Sequence, residues 1–176
     1  MLVGYDGSAP ARGAIELAAR LFTGRRAEVV NAWSSPFDRS FEGDEVTTMP
    51  LVDMAELVDT VEGKCAESAQ RLADEGAALA RTRELDAHAA TVRSGVGAWY
   101  ALTSVAEERH AAVLVVGSRG RGAIASTVLG SVSAGLAHNA ACPVVISRQG
   151  DSQATRATDD ASSTSTQAPR STMVTS

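Results

Sequence analysis

The sequence predicts an α/β fold of three layers, in which helices cover both faces of a doubly wound, parallel sheet of five strands. Five short apolar segments alternate with four helical patterns over residues 1–148, and strands that alternate with helices are joined by right-handed crossovers. The fourth apolar segment, AAVLVV, is continuous rather than alternating, which is typical of a strand buried on both faces. Apolar residues make up 44% of the chain and charged residues 21%, so a core of the usual size can form.

The first half of the chain predicts two strands and two helices. Residues 2–5 form a short strand, after which Ser8 caps a helix that has Pro10 in its first turn. The helical period places one apolar stripe on this helix, formed by Ala14, Ile15, Ala18, Leu21 and Phe22. A second strand, a loop and a long helix follow over residues 27–32, 33–50 and 51–83.

The second half predicts three strands and two shorter helices. Gly95 and Gly97 precede the first of these helices, and Gly130 precedes the second. Strands are expected over residues 87–92, 112–116 and 143–147, and helices over residues 99–109 and 131–139. Because the fifth strand comes last, we expect it to form an edge of the sheet with unpaired backbone groups.

The composition changes sharply after residue 148. Residues 149–176 are dominated by Ser, Thr, Ala, Gln and Asp and contain almost no large apolar side chain. Such a segment buries too little surface to offset the entropy that it would lose on ordering. The sequence therefore predicts one folded domain over residues 1–148 and a disordered tail over residues 149–176.

Charge and cysteine content exclude several classes of partner. The formal net charge is −5, whereas proteins that bind nucleic acids or anionic membranes usually present a basic face. The cysteines, Cys65 and Cys142, lie far apart without CxxC or Cys/His spacing, which argues against a disulfide framework or a zinc site. We expect both to be small buried residues in a reducing compartment. Without a basic leader or a membrane-length apolar run, we expect a cytoplasmic protein that has neither nucleic-acid nor membrane partners.

Two loops are candidates for a ligand site, because ligands of doubly wound sheets bind at the carboxyl ends of strands where the strand order reverses. These loops follow strands one and four, and the second begins Gly117-Ser118-Arg119-Gly120-Arg121-Gly122. Its glycines allow positive φ angles and close approach of a ligand, and successive N–H groups can bind an anion. Gly130-Ser131 then starts a helix, whose first N–H groups and positive dipole end also favour an anion. Hydroxyl groups and positive charge are available from Ser131, Ser133, Arg119 and Arg121.

A plain glycine-rich turn, with Ser131 capping the following helix, is the competing interpretation of the same residues. The spacing excludes two common phosphate-binding loops, because GxxxxGK[ST] is absent and no GxGxxG follows strand one. The phosphate-binding interpretation therefore requires a different arrangement of glycines.

The order and spacing of these residues resemble those of the nucleotide-binding members of the universal stress protein family. Gly117-x2-Gly120-x9-Gly130-Ser131 matches their G-2x-G-9x-G(S/T) pattern, and Val3-Gly4-Tyr5-Asp6-Gly7-Ser8 is similar to their first strand and loop. Residues 99–121 resemble the family's penultimate segment, and Cys142-Pro143-Val144-Val145-Ile146 resembles its last strand. The resemblance covers residues 1–148. It implies a nucleotide-binding domain with an adenine nucleotide α-hydrolase-like fold and the strand order 3-2-1-4-5.

The ligand that the resemblance implies is ATP, with Mg²⁺ or Mn²⁺, lying across the ends of strands one and four. Ala32 is smaller than the aliphatic residue usual at its position, which weakens the adenine wall. Asp6 carries acceptors only, which suits a ribose or adenine donor, or a cation bound through the nucleotide; the alternative for Asp6 is a cap of its own turn. No other side chain is predicted as a metal ligand. The implied positions are Gly4, Tyr5, Asp6 and Ala32 around the adenosine, Val116, Gly117 and Gly120 from the base to the phosphate turn, and Gly130, Ser131, Val132 and Ser133 at the triphosphate.

The function that the resemblance implies is that of a cytosolic, ATP-binding regulator or sensor of stress. No catalytic residue is predicted, because the glycine-rich loops lack the lysine, the metal-binding carboxylates and the water-orienting group that NTPases use. Little or no hydrolysis is therefore expected. The alternatives are a slow ATPase or adenylate-transferring enzyme of a related fold, and a nucleotide-free, chaperone-like interaction dimer.

Two further expectations concern surfaces. The family pairs its last strands in a homodimer, which implies a dimer through Val144, Val145 and Ile146. Trp33, directly after strand two, is expected either to pack against the long helix or to cover the mouth of the site.

Overall fold

The computed structural model describes residues 1–38, 51–120 and 129–148, with side chains from residue 55 onward in the second range. The predicted tail over residues 149–176 and most of the predicted loop over residues 33–50 lie outside these ranges. Five parallel strands form one sheet, in the predicted order β3-β2-β1-β4-β5. The strands are β1 (Leu2–Gly4), β2 (Arg26–Trp33), β3 (Asp86–Arg93), β4 (Leu114–Gly117) and β5 (Val144–Ser147).

Helices cover both faces of this sheet, which confirms the predicted three layers. Residues that are neighbours on a strand point to opposite faces, so Val3 of β1 packs with α1 and α2 while Leu2 packs with α3 and α4. The same alternation continues across the sheet, because Leu2 pairs with Leu114 and Val3 pairs with Val115. The helices are α1 (Ala9–Leu21), α2 (Leu51–Arg81), α3 (Ala98–Glu108) and α4 (Ser131–Asn139).

Most observed boundaries differ from the predicted ones by one or two residues. Helix α4 covers the predicted residues 131–139, whereas α2 ends at Arg81 rather than at residue 83. Strands β2 and β3 each extend one residue beyond the predicted range at both ends, because they pair with each other along their full lengths. The predicted cap of α1 is confirmed, since the Ser8 hydroxyl accepts a hydrogen bond from the Ala11 amide at 3.3 Å.

The prediction that Leu21 belongs to the apolar stripe of α1 is wrong, because its side chain is 55% exposed. Ala14, Ile15 and Ala18 are buried as predicted. Helix α1 ends at Leu21, and Phe22, the residue that follows as its C-cap, packs against the core in a partly buried position. The core is therefore closed at this point by the cap residue, and Leu21 projects into solvent.

The two cysteines are partly buried rather than fully buried, and both are free thiols. Cys142 lies just before β5 and packs at the margin of the core formed with α3 and α4. Cys65 lies on α2 between the exposed Lys64 and the partly buried Ala66. Both thiols are therefore at the periphery of the core.

Candidate functional site

A cavity of about 500 Å³ opens at the carboxyl ends of β1 and β4, where the strand order reverses. One predicted residue, Arg121, lies outside the described residues. The other predicted binding residues all line this cavity: Gly4, Tyr5, Asp6, Ala32, Val116, Gly117, Arg119, Gly120, Gly130, Ser131, Val132 and Ser133. The two loops selected from the sequence therefore meet around one space.

Four further lining residues were not predicted from the sequence: Ala11, Ala98, Leu102 and Leu129. Ala98 and Leu102 lie one turn apart on α3 and complete an apolar wall with Ala32 and Val116. The apolar spacing on this helix predicts that it has a buried face. The sequence has no local signal for which part of that face covers the ligand end of the sheet, because this depends on how α3 packs.

Side-chain hydrogen bonds help to fix the loop after β1. The buried Asn31 side chain donates through Nδ2 to the Tyr5 carbonyl oxygen at 2.8 Å. Asp6 Oδ1 accepts from the Ser8 amide at 3.0 Å, which is the turn-capping role considered for Asp6. Asp6 still lines the cavity, so one carboxylate oxygen shapes the turn while the carboxylate group borders the site.

Tyr5 reaches the cavity near its backbone, because its ring packs in the core on the α1 and α2 side of the sheet. Its hydroxyl donates to Glu75 Oε1 at 2.7 Å and accepts from Arg12 Nε at 3.3 Å. Arg12 Nη2 is also 3.0 Å from Glu75 Oε1. Burial raises the pKa of Tyr5, and the carboxylate of Glu75 acts in the same direction, partly opposed by Arg12. The ring thus anchors the first loop to α1 and α2.

The glycines of the loop after β4 permit close contact rather than unusual backbone angles. Glycine allows positive φ, but among the described glycines positive φ occurs at Gly7, Gly24 and Gly97 and not at Gly117, Gly120 or Gly130. A Cβ on Gly117 would lie 2.6 Å from the backbone carbon of Pro10. A Cβ on Gly120 would lie 2.7 Å from Asp6 Oδ2. Both distances are shorter than packed atoms allow, so these glycines let the loop after β4 lie against the start of α1 and against Asp6.

The start of α4 is fixed from beneath by hydrogen bonds to Ser118. The carbonyl oxygen of Ser118 accepts from the Gly130 amide at 2.7 Å and from the Ser133 hydroxyl at 2.8 Å. Ser133 is 1% exposed, and its hydroxyl donates to the main chain of Ser118 and Gly130. Its side chain therefore supports the start of α4, and a hydrogen bond from this hydroxyl to a ligand stays a prediction.

Helix α4 presents main-chain donors to the cavity. Its first helical hydrogen bond runs from Ala134 to the Gly130 carbonyl oxygen at 2.9 Å, so the amides of Ser131, Val132 and Ser133 precede the helical ladder. The N-cap is Gly130, without a side-chain cap, which contradicts the alternative that Ser131 caps the helix. The exposed Ser131 lines the cavity instead. These amides and the helix dipole make this end of the cavity suited to an anion.

Trp33 lies beside the cavity rather than over it. It is not among the residues that line the cavity in the described part of the chain, and the Arg93 guanidinium lies 5.8 Å from the centre of its ring. Arg93 also pairs with Asp38 at 3.0 Å and with Glu62 of α2 at 2.6 Å. Trp33 thus belongs to the surface between β3 and α2, and the described residues do not support the alternative that it covers the mouth of the site.

Charged groups are few in the cavity. Asp6 and Arg119 are the charged side chains among its described lining residues. Over residues 1–38, 51–120 and 129–148, no group of three or more His, Cys, Asp or Glu side chains is placed to hold a metal ion. The site therefore offers an apolar wall, backbone donors and one charge of each sign.

The family match described next covers the same residues as the predicted folded domain. Residues 1–148 match the sequence profile of the Universal stress protein family. A search of curated protein sequences found no match. Within the described residues, no helix is long and apolar enough to cross a membrane.

Several solved structures share the fold. The structure of a hypothetical protein, solved for structure-based assignment of its biochemical function, is 15% identical, covers 84% of this chain and 94% of its own, and has a TM-score of 0.67. A universal stress protein in complex with cAMP is 24% identical over 82% of this chain and 93% of its own, with a TM-score of 0.55. The universal stress protein from Archaeoglobus fulgidus in complex with dAMP is 17% identical over 83% of this chain and 94% of its own, with a TM-score of 0.52. These likenesses identify the adenine nucleotide α-hydrolase-like fold.

Proposed function

The chain belongs to the universal stress protein family, and from this premise we propose that it is an ATP-binding stress-response protein that acts as a sensor or regulator. The observation that carries the proposal is the cavity at the ends of β1 and β4, in which an apolar wall faces the amide donors at the start of α4. Ligand sites of this size are usually apolar with a few well-placed polar groups. The structures of family members with cAMP and dAMP support an adenine nucleotide as the ligand.

The proposed orientation follows from the two ends of the cavity. The adenine packs against the apolar wall of Ala32, Leu102 and Val116, and the phosphates lie at the start of α4, where the main chain presents its N–H groups. A chain with a net charge of −5 can bind a polyanion in this way, because backbone amides and a helix dipole supply local positive potential. Arg119 adds one positive charge near the phosphates.

ATP is expected to bring Mg²⁺ or Mn²⁺ with it. Hard divalent cations prefer oxygen ligands and keep contacts with nucleotide phosphates. Asp6 is the one carboxylate among the described lining residues, and its oxygens are of the kind that such an ion prefers. We therefore expect the phosphate oxygens to hold the cation, with Asp6 as the protein's contribution.

We propose that the protein binds ATP with little or no hydrolysis. Phosphoryl transfer requires groups that orient water and stabilise the developing charge. The described lining residues include no lysine and no histidine. We expect turnover far below that of ordinary enzymes, for which kcat is about 10 s⁻¹.

We also propose a cytoplasmic homodimer that forms through β5. This strand lies at the edge of the described sheet next to β4, and its side chains Val144, Val145 and Ile146 are partly buried. An edge strand presents backbone groups that a second copy can pair with. Nucleotide occupancy and dimer contacts would then be linked through α4, which directly precedes β5.

Native mass spectrometry of the gently purified protein tests nucleotide binding. We expect retained or added ATP on the wild type and its loss in Gly130→Glu, because a carboxylate at the start of α4 opposes phosphate. Gly63→Glu is the matched control, since Gly63 is exposed on α2 with no atom within 4 Å of a Cβ. A wild type that binds no nucleotide overturns the proposal and favours the nucleotide-free interaction dimer. Turnover of about 10 s⁻¹ would instead favour the enzyme.

A further inference from the structure

The indole ring of Trp99 lies between the start of α3 and the middle of α4. A Cβ on Gly135 would lie 2.5 Å from Trp99 Cγ and 2.9 Å from Trp99 Cβ and Cδ2. Packed carbon atoms do not approach each other this closely. On the other side, a Cβ on Gly97 would lie 3.5 Å from Cδ1 and Nε1 of the ring, an ordinary contact. The ring can therefore rest on the backbone of α4 only because residue 135 is glycine.

Contacts within α3 fix the orientation of this ring. Gly97 is the N-cap residue of the helix with φ of 148°, a conformation that glycine adopts without strain. The Tyr100 ring meets the indole edge-on, at 90° and with 5.8 Å between the ring centres, an arrangement that aromatic pairs favour. The Trp99 carbonyl oxygen accepts from Thr103 Oγ1 at 3.0 Å. The residue is thus held at both its backbone and its ring.

The contact joins the two helices that provide different parts of the cavity. Helix α3 contributes Ala98 and Leu102 to the apolar wall, and α4 contributes its first residues, which carry the amide donors. Neither Trp99 nor Gly135 is among the described residues that line the cavity. A change at their contact therefore alters the distance between the wall and the donors without removing any group that faces the ligand.

We infer that Trp99 and Gly135 are positioning residues for nucleotide binding, which set the distance between the apolar wall on α3 and the amide donors of α4. The inference rests on the proposed function. A nucleotide is bound by its base at one helix and by its phosphates at the other, so it is sensitive to their separation. The added Cβ of Gly135→Ala forces α4 away from α3. We expect this change to raise the Kd for ATP roughly tenfold, in the range usual for coupled contacts.

A double-mutant cycle tests the inference. Gly135→Ala is measured alone and together with Trp99→Ala, which removes the ring that the new methyl group would meet. We expect Gly135→Ala to weaken ATP binding strongly when Trp99 is present and little when Trp99 is replaced by alanine. Gly63→Ala is the matched control, because it adds the same methyl group to a helix at a position with open space. Equal effects of Gly135→Ala in both backgrounds, or no effect in either, overturn the inference.

Hydrogen exchange without nucleotide gives a second, independent readout. The Gly130 amide is bonded to Ser118 and the Ala134 amide to Gly130, so both report on the start of α4. We expect Gly135→Ala to accelerate exchange at these two amides, and to have no such effect once Trp99 is alanine. Unchanged exchange overturns the inference. A wild type that binds no ATP contradicts the proposed function instead, so the two failures are distinguishable.

Discussion

At the scale of single residues, the site depends on glycines, which lack a Cβ and so allow close contact, more than on reactive side chains. Gly117 and Gly120 allow the loop after β4 to touch the start of α1 and the side chain of Asp6. Ser133, a polar residue at the site, bonds to the loop backbone. The sequence shows the spacing of these glycines directly, and that spacing predicted a ligand site. Their role in close contact was not predictable, because the opposing atoms come from residues 6 and 10, more than one hundred positions earlier.

Gly120→Ala is predicted to weaken ATP binding about tenfold, because the new methyl group lies 2.7 Å from Asp6 Oδ2 and must displace the carboxylate or the loop. Isothermal titration with ATP measures the effect. Gly95→Ala is the control, since a Cβ there meets no atom within 4 Å. Wild-type affinity in Gly120→Ala would contradict the role assigned to this contact.

Tyr5→Phe is predicted to change how stability depends on pH. Burial raises the pKa of Tyr5, so above about pH 10 the unfolded chain loses this proton before the folded protein does. The free energy of unfolding of the wild type therefore falls as the pH rises from about 10 through the folded pKa. In Tyr5→Phe this part of the decline disappears.

At neutral pH the free energy of unfolding of the same variant is expected to be lower by about 1 kcal/mol, because it lacks the hydroxyl that donates to Glu75 and accepts from Arg12. Urea unfolding at a series of pH values measures both effects. Tyr100→Phe is the control, because its ring is 53% exposed. Alkaline slopes that are identical in the wild type and Tyr5→Phe would refute the explanation.

At the scale of elements, periodicity predicted the helices and strands but not which residue is the last buried one at a helix end. The helical stripe of α1 was right for Ala14, Ile15 and Ala18 and wrong for Leu21, because a period does not show which residue closes the core at a helix end. Helix α4 was predicted with its exact range, since Gly130 and Ser131 mark its start. The apolar wall from α3 could not be predicted, because it depends on how that helix packs against β2, β3 and α4.

Two glycines of α2 are predicted to respond in opposite ways to alanine. A Cβ on Gly76 would lie 2.7 Å from Tyr5 Cδ1 and 2.8 Å from Val29 Cγ1, so Gly76→Ala should cost about 2 kcal/mol by overpacking. Gly63 meets no atom within 4 Å, so Gly63→Ala should gain about 1 kcal/mol from helix propensity. Urea denaturation of both variants measures the difference. If both variants changed the free energy of unfolding in the same direction, the contact of Gly76 with the sheet would not be the cause.

At the scale of the whole molecule, the predicted strand order explains why the site and the edge strand belong to the same half of the sheet. Strands β4 and β5 and helix α4 form one side of β1, and β2 and β3 form the other. The order was predictable because the resemblance to the family extends over the folded domain. The proposed dimer depends on backbone groups at the open side of β5, and their direction follows from the hydrogen bonds between β4 and β5. The carbonyl oxygens of Pro143 and Ser147 accept from the amides of Leu114 in β4 and of Ser118 directly after it, so the backbone groups of Val144 and Ile146 point outward.

Ile146→Pro is predicted to convert the proposed dimer into a monomer. Proline removes an N–H group that points away from β4, so the bonds between β4 and β5 remain while pairing with a second copy is lost. Analytical ultracentrifugation measures the mass. Ile146→Ala is the control for the lost side chain, because it keeps the N–H group, and it should remain dimeric. A dimeric Ile146→Pro would exclude pairing through this edge.

The central position of β1 also has a consequence for the rate and order of folding. Leu2 pairs with Glu28 on one side but with Leu114 on the other, and contacts between distant parts of a chain form slowly. During synthesis, β1 and β2 can associate early, whereas the second half of the sheet must wait until β4 has left the ribosome. A ligand held between β1 and α4 can therefore stabilise only the nearly finished domain, and the early steps of folding proceed without it.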